Sequence, residues 1–123
     1  MNRILICGDR NWKDYEVIDS LVKSLPLDSI IIQGMCSGAD SMGKKAGEKY
    51  GFEVLDFPAK WEEYGNSAGP IRNTQMLDEG KPNTVYAFHN DIFNSRGTKN
   101  MIIQALNRSI PVIIIPSTEN TIG

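Results

Sequence analysis

The sequence has few of the residues that build metal and disulfide sites. Two cysteines, Cys7 and Cys36, and one histidine, His89, occur in 123 residues. Two cysteines do not make a disulfide framework, and together with one histidine they fall short of the four ligands of a structural zinc site. We therefore predict no metal, no cofactor, and two reduced thiols of the kind expected in the cytoplasm.

Long apolar runs and an excess of positive charge are also missing. No run approaches the roughly 20 apolar residues that a bilayer span needs, and residues 4–7 are too short for the core of a signal peptide. Thirteen lysines and arginines stand against fifteen acidic residues, a net charge of -2. Proteins that coat duplex DNA are normally basic. We therefore predict a cytoplasmic protein without a membrane partner, and nucleic acid is disfavoured as a partner.

The length and composition are those of one globular domain. Apolar residues make up 41% of the chain and charged residues 23%, close to the averages for folded domains. We assign residues 1–123 to a single domain, with residues 117–123 as a polar, flexible tail. The sequence leaves open whether the domain forms a homo-oligomer.

Apolar runs alternate with stretches of helical period along the chain. The runs are apolar at successive positions, which is typical of strands buried on both faces of a parallel sheet. They occupy residues 4–7, 30–33, 54–57, 85–88 and 112–115. This alternation predicts a doubly wound, Rossmann-like α/β domain with five parallel strands, and we expect the strand order 3-2-1-4-5.

The connection between the third and fourth strands is the longest. It contains an aromatic, polar stretch with Trp61 and Tyr64, followed by a helix that we expect to open at Pro70 and to end near Gly80. Long connections in compact domains are more often functional than decorative.

The unusual polar residues follow the predicted strands, where open α/β sheets bind ligands. Three of the five arginines lie in these segments, which in an acidic protein favours an anionic ligand. The predicted ligand-binding residues are Gly8, Asp9, Arg10, Trp12, Gly34, Ser37, Gly38, Asp40, Arg72, Asn73, Arg96, Gly97 and Thr98.

The segment from Gly34 to Asp40 has the composition of a phosphate-binding turn. Its glycines allow close backbone approach, Ser37 and Asp40 have the spacing of a capping box, and a helix N-terminus attracts anions. A capped helix without a ligand explains the same residues. The segment is not a Walker loop, because Gly-Lys-Ser/Thr is absent.

Arg72 and Arg96 are both expected near helix N-termini, where the helix dipole disfavours a cation unless an anion intervenes. For Arg72 the alternative is a surface arginine or an ion pair with Asp78 or Glu79. Gly97 would free the backbone beside Arg96, and Thr98 could cap the helix.

The aromatic residues Trp12, Trp61 and Tyr64 could stack on a base, although core packing is the commoner role of such residues. His89 is more readily explained as a loop residue than as a catalyst. The catalytic residues stay unknown, with Arg72, Asp9 and Asp40 as weak candidates.

Four motifs together resemble the SLOG superfamily, and within it the YspA-type, YpsA-related branch. The resemblance runs from Asn2 to about Ile115. Its motifs are Gly8-Asp9-Arg10-Asn11-Trp12, Gly34-x-x-Ser37-Gly38-Ala39-Asp40, Ala68-Gly69-Pro70-Ile71-Arg72-Asn73-x-x-Met76-Leu77 and Arg96-Gly97-Thr98. It implies a Rossmann-like domain that binds a nucleotide or nucleotide-derived ligand. Because the phosphate-site glycines and arginines occur without a recognisable catalytic set, our leading hypothesis is a sensor, carrier or sequestering protein.

More distant similarity extends to the LOG phosphoribohydrolases and to DprA. Arg72 and Gly97-Thr98 match LOG motifs, but Met101 occupies the position of the LOG catalytic glutamate, and methionine cannot handle a proton. Two alternatives to a binding protein follow from these relatives. One is a hydrolase of nucleotide N-glycosidic or phosphate bonds, and the other is a binder of single-stranded nucleic acid, which the acidic balance disfavours.

Overall fold

A computed structural model describes residues 2–118. Strands and helices alternate along the chain, as the apolar runs predict. The strands are β1 (Arg3–Gly8), β2 (Ile30–Gln33), β3 (Glu53–Asp56), β4 (Thr84–Phe88) and β5 (Val112–Ile115). The helices are α1 (Tyr15–Lys23), α2 (Ala39–Lys49), α3 (Trp61–Tyr64), α4 (Ala68–Asp78) and α5 (Arg96–Asn107), with short 3-10 turns at Gly65–Ser67 and Ile92–Asn94.

The five strands form one parallel sheet in the order β3-β2-β1-β4-β5. The predicted fold class and strand order are therefore confirmed. The order reverses between β1 and β4, because the chain leaves β1 towards β2 and leaves β4 towards β5. In the register of these two central strands, Gly8 lies opposite Phe88. A crevice at the carboxyl ends of β1 and β4 is the usual ligand position of such a sheet.

Two apolar layers cover the two faces of the sheet. On one face Ile6, Ile31 and Phe88 pack with residues of α1 and α2, including Ile18 and Ala46. On the other face Leu5, Ile32 and Val85 pack with residues of α4 and α5. Those helical residues are Met76, Leu77, Met101, Ile102 and Ala105. The successive apolar residues of the inner strands are thus explained by burial on both sides.

Helix α4 begins earlier than the sequence predicts. It starts at Ala68 rather than at Pro70, and it ends at Asp78, shortly before Gly80. Pro70 still lies in the first turn. The N–H groups of a first turn have no acceptor within the helix, so a proline there costs no hydrogen bond. The earlier start moves Arg72 into the second turn, which changes the environment expected for that residue.

The chain is anchored at Ser117 and Thr118, where a flexible tail was predicted. The backbone N–H and the hydroxyl of Thr118 donate to Oδ2 of Asp14 at 2.8 and 2.6 Å. The Ser117 hydroxyl donates to the same oxygen, and its backbone N–H donates to Asn90. These hydrogen bonds connect the first two residues of the predicted tail to a buried carboxylate. The rest of the predicted tail, residues 119–123, lies outside the described residues.

Candidate functional site

Two glycines bring the loops after β1, β2 and β4 together at the carboxyl edge of the sheet. Gly8 has a φ of +152°, and a Cβ there would lie 2.2 Å from the Phe88 carbonyl oxygen. Gly38 has a φ of +75°, and a Cβ there would lie 2.2 Å from the Asp9 carbonyl oxygen. Both positions therefore need glycine so that the chain can pack on its own backbone. The role of Gly38 in binding a ligand stays a prediction beside this contact.

The loop after β1 is bonded directly to the start of α2. The Asp9 carbonyl accepts from the N–H of Ala39 at 3.1 Å, and the Asp9 carboxylate accepts from the N–H of Asn11. The Ser37 hydroxyl donates to the Arg10 carbonyl at 3.1 Å. Part of the α2 N-terminus is thus satisfied by the protein itself, while the Arg10 side chain is exposed.

The predicted capping box of α2 does not form. Gly38 is the N-cap residue and no side chain caps the helix. Ser37 turns instead to Arg10, and Oδ2 of Asp40 accepts from the backbone N–H groups of Gly34 and Cys36 at 3.1 and 3.4 Å. The capping-box spacing was misleading, because both side chains have partners in the preceding loops.

Asp40 and Arg72 enclose the Gly34 backbone. A Cβ on Gly34 would lie 2.5 Å from Nη1 of Arg72 and 2.9 Å from the Asp40 carboxylate, so a larger residue does not fit. Burial raises the pKa of Asp40 to about 6, while the Arg72 charge and the two backbone hydrogen bonds oppose that rise. The Asp40 carboxylate is therefore a group whose charge changes just below neutral pH.

The two cysteines flank this buried charge pair in different ways. Sγ of Cys36 lies 3.6 Å from both Nη1 and Nη2 of Arg72, and the residue is partly exposed. Cys7 is buried in the sheet, and burial together with the Asp40 charge raises the pKa of its thiol. Cys7 therefore stays a neutral core thiol, while Cys36 extends the polar cluster towards solvent.

Arg72 and Asn73 link α4 to the loop after β2 and to the first turns of α5. Nη1 of Arg72 donates to the Gly34 carbonyl. The Asn73 amide donates to the Gly97 carbonyl at 3.2 Å and to Oδ1 of Asn100 at 3.1 Å. Both residues are buried. The alternative considered for Arg72, a surface arginine or an ion pair with Asp78 or Glu79, is wrong, because the side chain is buried and donates to the Gly34 carbonyl after β2.

The N-terminus of α5 is the most open of the predicted anion sites. The Ser95 hydroxyl caps the helix by accepting from the N–H of Thr98 at 3.1 Å, so Ser95 takes the capping role considered for Thr98. A Cβ on Gly97 would meet nothing within 4 Å. Within residues 2–118, the N–H groups of Arg96 and Gly97 have no hydrogen-bond acceptor. The Arg96 side chain is exposed beside them.

The aromatic residues divide between core and surface. Trp12 is 4% exposed, packs edge-on against Phe88 and donates its indole N–H to the Asp14 carbonyl, so its ring offers no free face to a ligand. Trp61 and Tyr64 on α3 are exposed. His89 accepts a hydrogen bond at Nδ1 from the N–H of Asp91, which is the loop role expected for it.

A cavity next to the Gly34 loop was not foreseen from the sequence. Its volume is about 490 Å³. Met35 has a φ of +61° at its edge, and its N–H donates to the buried Gln33 side chain at 2.7 Å. A left-handed methionine is a strained position that sequence alone does not mark. The lining residues are Gln33, Met35, Cys36, Ser41, Lys44, Lys45 and Glu48.

The described part of the chain has neither a cluster of metal-ligating side chains nor a membrane-spanning helix. Among residues 2–118, no three side chains of histidine, cysteine, aspartate or glutamate are grouped so that they could hold a metal ion. No helix in the same range is both long enough and apolar enough to cross a membrane.

The sheet order and the loops at its carboxyl edge define a Rossmann-like α/β domain. Residues 2–64 match the family described as YAcAr, the YspA, cpYpsA-related SLOG family. The chain is also 33% identical over 122 residues to the Gene 61 protein of Mycobacterium phage D29, a match that covers 92% of this chain and 95% of the phage protein. The chain therefore belongs to the YspA, cpYpsA-related SLOG family.

A solved structure shares the fold at much lower sequence identity. The X-ray structure of DNA processing protein A (DprA) from Streptococcus pneumoniae superposes with a TM-score of 0.77 and 13% identity. The match covers 98% of this chain and 52% of the DprA chain, so this chain spans about half of that protein's length.

Proposed function

We propose that this chain binds a nucleotide or nucleotide-derived ligand at the carboxyl edge of the sheet, with a phosphate at the N-terminus of α5. The open first turn of α5 carries the proposal. The N–H groups of Arg96 and Gly97 lack an acceptor within residues 2–118, and the space beside Gly97 is empty. Membership of the SLOG family supports a nucleotide-related ligand.

The N-terminus of α2 is a weaker phosphate site than α5. The first N–H of α2, at Ala39, already donates to the Asp9 carbonyl, and the N–H of Ser41 donates to the Cys36 carbonyl. The missing Cβ of Gly38 faces the Asp9 and Arg10 backbone rather than a crevice. At α2 the bonded N–H groups of Ala39 and Ser41 are unavailable to an anion, whereas at α5 the adjacent N–H groups of Arg96 and Gly97 both lack an acceptor within residues 2–118.

Arg10, Arg72 and Arg96 would play different parts in this site. Arg10 and Arg96 are exposed and would contact the ligand directly, since a guanidinium pairs with phosphate in a bidentate manner. Arg72 is buried behind Gly34 and Cys36, and it would act by holding the loop after β2 in place.

A binding protein fits this site better than a hydrolase. At Met101, the position of the LOG catalytic glutamate, the side chain is 1% exposed in the core. Asp40 is buried behind the Gly34 and Cys36 backbone. Neither residue reaches the open turn of α5. The resemblance in fold to DprA makes single-stranded nucleic acid the third candidate, which the net charge of -2 disfavours.

Titration calorimetry separates these functions. The purified chain is titrated with nucleoside monophosphates, nucleoside diphosphates and a short single-stranded oligonucleotide, and the ligands are then recovered and analysed by mass spectrometry. We expect a nucleotide to bind and to be recovered intact. Released base or phosphate would identify a hydrolase, and preference for the oligonucleotide would identify a nucleic-acid binder.

Arg96→Ala and Arg108→Ala make a matched pair for this titration, because both arginines lie at the ends of α5. Arg108 forms an exposed ion pair with Asp78 at the far end of the helix, about 18 Å away along the axis. We expect Arg96→Ala to weaken nucleotide binding by about 10-fold or more, and Arg108→Ala to leave it unchanged. Equal effects in the two variants would contradict a phosphate site at α5.

A further inference from the structure

The two edges of the sheet differ in how they are protected. At the β3 edge Glu53 and Asp56 are exposed, and Asp56 is paired with Lys44 at 2.8 Å. At the β5 edge Ile113 and Ile114 are each 44% exposed. Charged residues on an edge strand discourage pairing with another chain. The β3 edge has that protection, and residues 110–116, which are Ile-Pro-Val-Ile-Ile-Ile-Pro, contain no charge.

The apolar side chains of β5 extend to both faces of the sheet. Val112 packs against the layer formed by α4 and α5, and Ile115 packs against the layer formed by α1 and α2. Because side chains alternate along a strand, Ile114 shares the face of Val112, and Ile113 shares the face of Ile115. The sheet therefore ends in isoleucines exposed on each face.

The outer backbone groups of β5 are also available. The Pro111 carbonyl accepts from Val85 in β4, and the Ile115 carbonyl accepts from His89, the residue after β4. Residues 111, 113 and 115 thus face β4, and the N–H and C=O groups of Val112 and Ile114 face outward. Pro116 has no N–H to offer, so strand pairing at this edge is limited to a short segment.

Helix α5 continues the apolar surface above β5. Its side towards α4 is marked by Asn100, Gln104 and Arg108, which bond to Asn73, Thr74 and Asp78. Leu106 is two residues from both Gln104 and Arg108, about 200° around the helix from each. It therefore lies on the side of α5 nearest the β5 edge and is 58% exposed, with Ile103 exposed beside it.

We propose that this surface, formed by Ile103, Leu106, Ile113 and Ile114, joins two copies of the chain in a two-fold dimer. Charge favours a second copy as the occupant. The β5 edges of two copies carry no charge and therefore do not repel each other. A two-fold contact places the same surface of both copies together, so that surface must be complementary to itself. In antiparallel pairing centred on Ile113, Val112 lies opposite Ile114 of the partner subunit, and each such pair exchanges two backbone hydrogen bonds.

The area needed for a stable dimer requires α5 to take part. A standard interface buries about 800 Å² on each partner, which is more than a four-residue strand edge supplies. The side chains of Ile103 and Leu106 extend the contact over the second layer. The proposal concerns a surface away from the α5 N-terminus and is independent of the ligand.

Sedimentation equilibrium of the whole chain over a wide range of concentration tests the dimer. We expect the natural chain to self-associate and Ile113→Lys to be monomeric, because it places two lysines against each other at the centre of the interface. Leu27→Lys is the matched control, since Leu27 is 96% exposed in the loop between α1 and β2, and it should dimerise like the natural chain. Circular dichroism checks that each variant is folded.

Each result decides the proposal. A natural chain that is monomeric at every concentration contradicts it and leaves this surface to a different protein. A folded Ile113→Lys variant that still dimerises also contradicts it, because the dimer would then use another face. If Ile113→Lys does not fold, Leu106→Lys decides, since its side chain lies outside the sheet: weaker association supports the proposal, and unchanged association overturns it.

Discussion

Nε of Arg72 donates to Oδ1 of Asn73 at 3.1 Å, and the two side chains contact different segments of the chain. Arg72 reaches Gly34 and Cys36 after β2, and Asn73 reaches Gly97 in the first turn of α5. One pair of adjacent residues on α4 thus connects the loop after β2 with the proposed phosphate site. The contacts of Arg72 and Asn73 place both residues where they can position these two segments.

Replacing Arg72 should destabilise the folded chain. Arg72→Ala leaves the Gly34 carbonyl and the Asn73 amide oxygen without their donor in a buried region, which should lower the free energy of unfolding by about 1.5–3 kcal/mol. Arg72→Lys should recover only part of this, because a lysine lacks the planar fork of donors. Urea denaturation measures both, with Arg96→Ala as an exposed control expected within about 0.5 kcal/mol of the natural chain. Equal stability of Arg72→Ala and the natural chain would show that the buried contacts contribute nothing.

Gly38→Ala should lower the stability of the fold, whereas Gly97→Ala should lower the affinity for a nucleotide. The Cβ of Gly38→Ala would lie 2.2 Å from the Asp9 carbonyl oxygen, at a residue with φ +75°, so the loops must separate and the melting temperature should fall. The Cβ of Gly97→Ala meets open space, so the fold should be kept while nucleotide binding weakens. Thermal melting together with calorimetry distinguishes the two effects. A stable Gly38→Ala variant that has lost only ligand binding would return the phosphate site to α2.

The buried Asp40 carboxylate should make stability depend on pH just below neutrality. Its folded pKa is raised from 3.8 to about 6, so protonation favours the folded state. Its contribution is fully present below about pH 4 and is lost as the pH rises through 6. Asp40→Asn lacks this titration, and the difference in unfolding free energy between the two proteins should change by up to about 3 kcal/mol between pH 4 and 7. A pH-independent difference would mean that Asp40 is not desolvated.

Asp14 should show the opposite dependence on pH. Hydrogen bonds from the Thr118 side chain are the main reason that the pKa of Asp14 lies below its usual value, and those from the Thr118 backbone and Ser117 add to it. A lowered folded pKa gives stability that is present above about pH 4 and is lost as the pH falls through the folded value. The natural chain should therefore exceed Asp14→Asn in melting temperature at neutral pH and lose that advantage in acid. If the advantage persists at low pH, the anchor of Ser117 and Thr118 does not depend on the charge.

The sheet could be predicted because its strands leave a strong local signal. Burial on both faces requires consecutive apolar residues, and the runs at residues 4–7 and 30–33 fall within β1 and β2. The start of α4 was predicted two residues too late. A proline is tolerated anywhere in the first turn, so Pro70 locates the N-terminus of the helix only to within two residues. Helix boundaries depend on caps and tertiary contacts as much as on local sequence.

The candidate site could be located but not assembled from the sequence. Its segments follow the strands, so their convergence is a consequence of the topology. The partners of Ser37, Asp40 and Arg72 depend on contacts between residues far apart in the chain, which periodicity does not encode. Asn100 accepts a hydrogen bond from the Asn73 amide. Nothing in the sequence marks Asn100 as part of the site except its position one helical turn after Gly97.

The most direct test of the central claim is the response of the α5 amides to a phosphate. The backbone N–H signals of Arg96 and Gly97 are followed by nuclear magnetic resonance during titration with a nucleoside monophosphate and with the matching nucleoside. We predict large shifts of these two signals with the monophosphate, small shifts with the nucleoside, and little change at the Ala39 amide, which already donates to Asp9. Binding that shifts Ala39 while leaving Arg96 and Gly97 unchanged, or no binding of any nucleotide, would contradict the account.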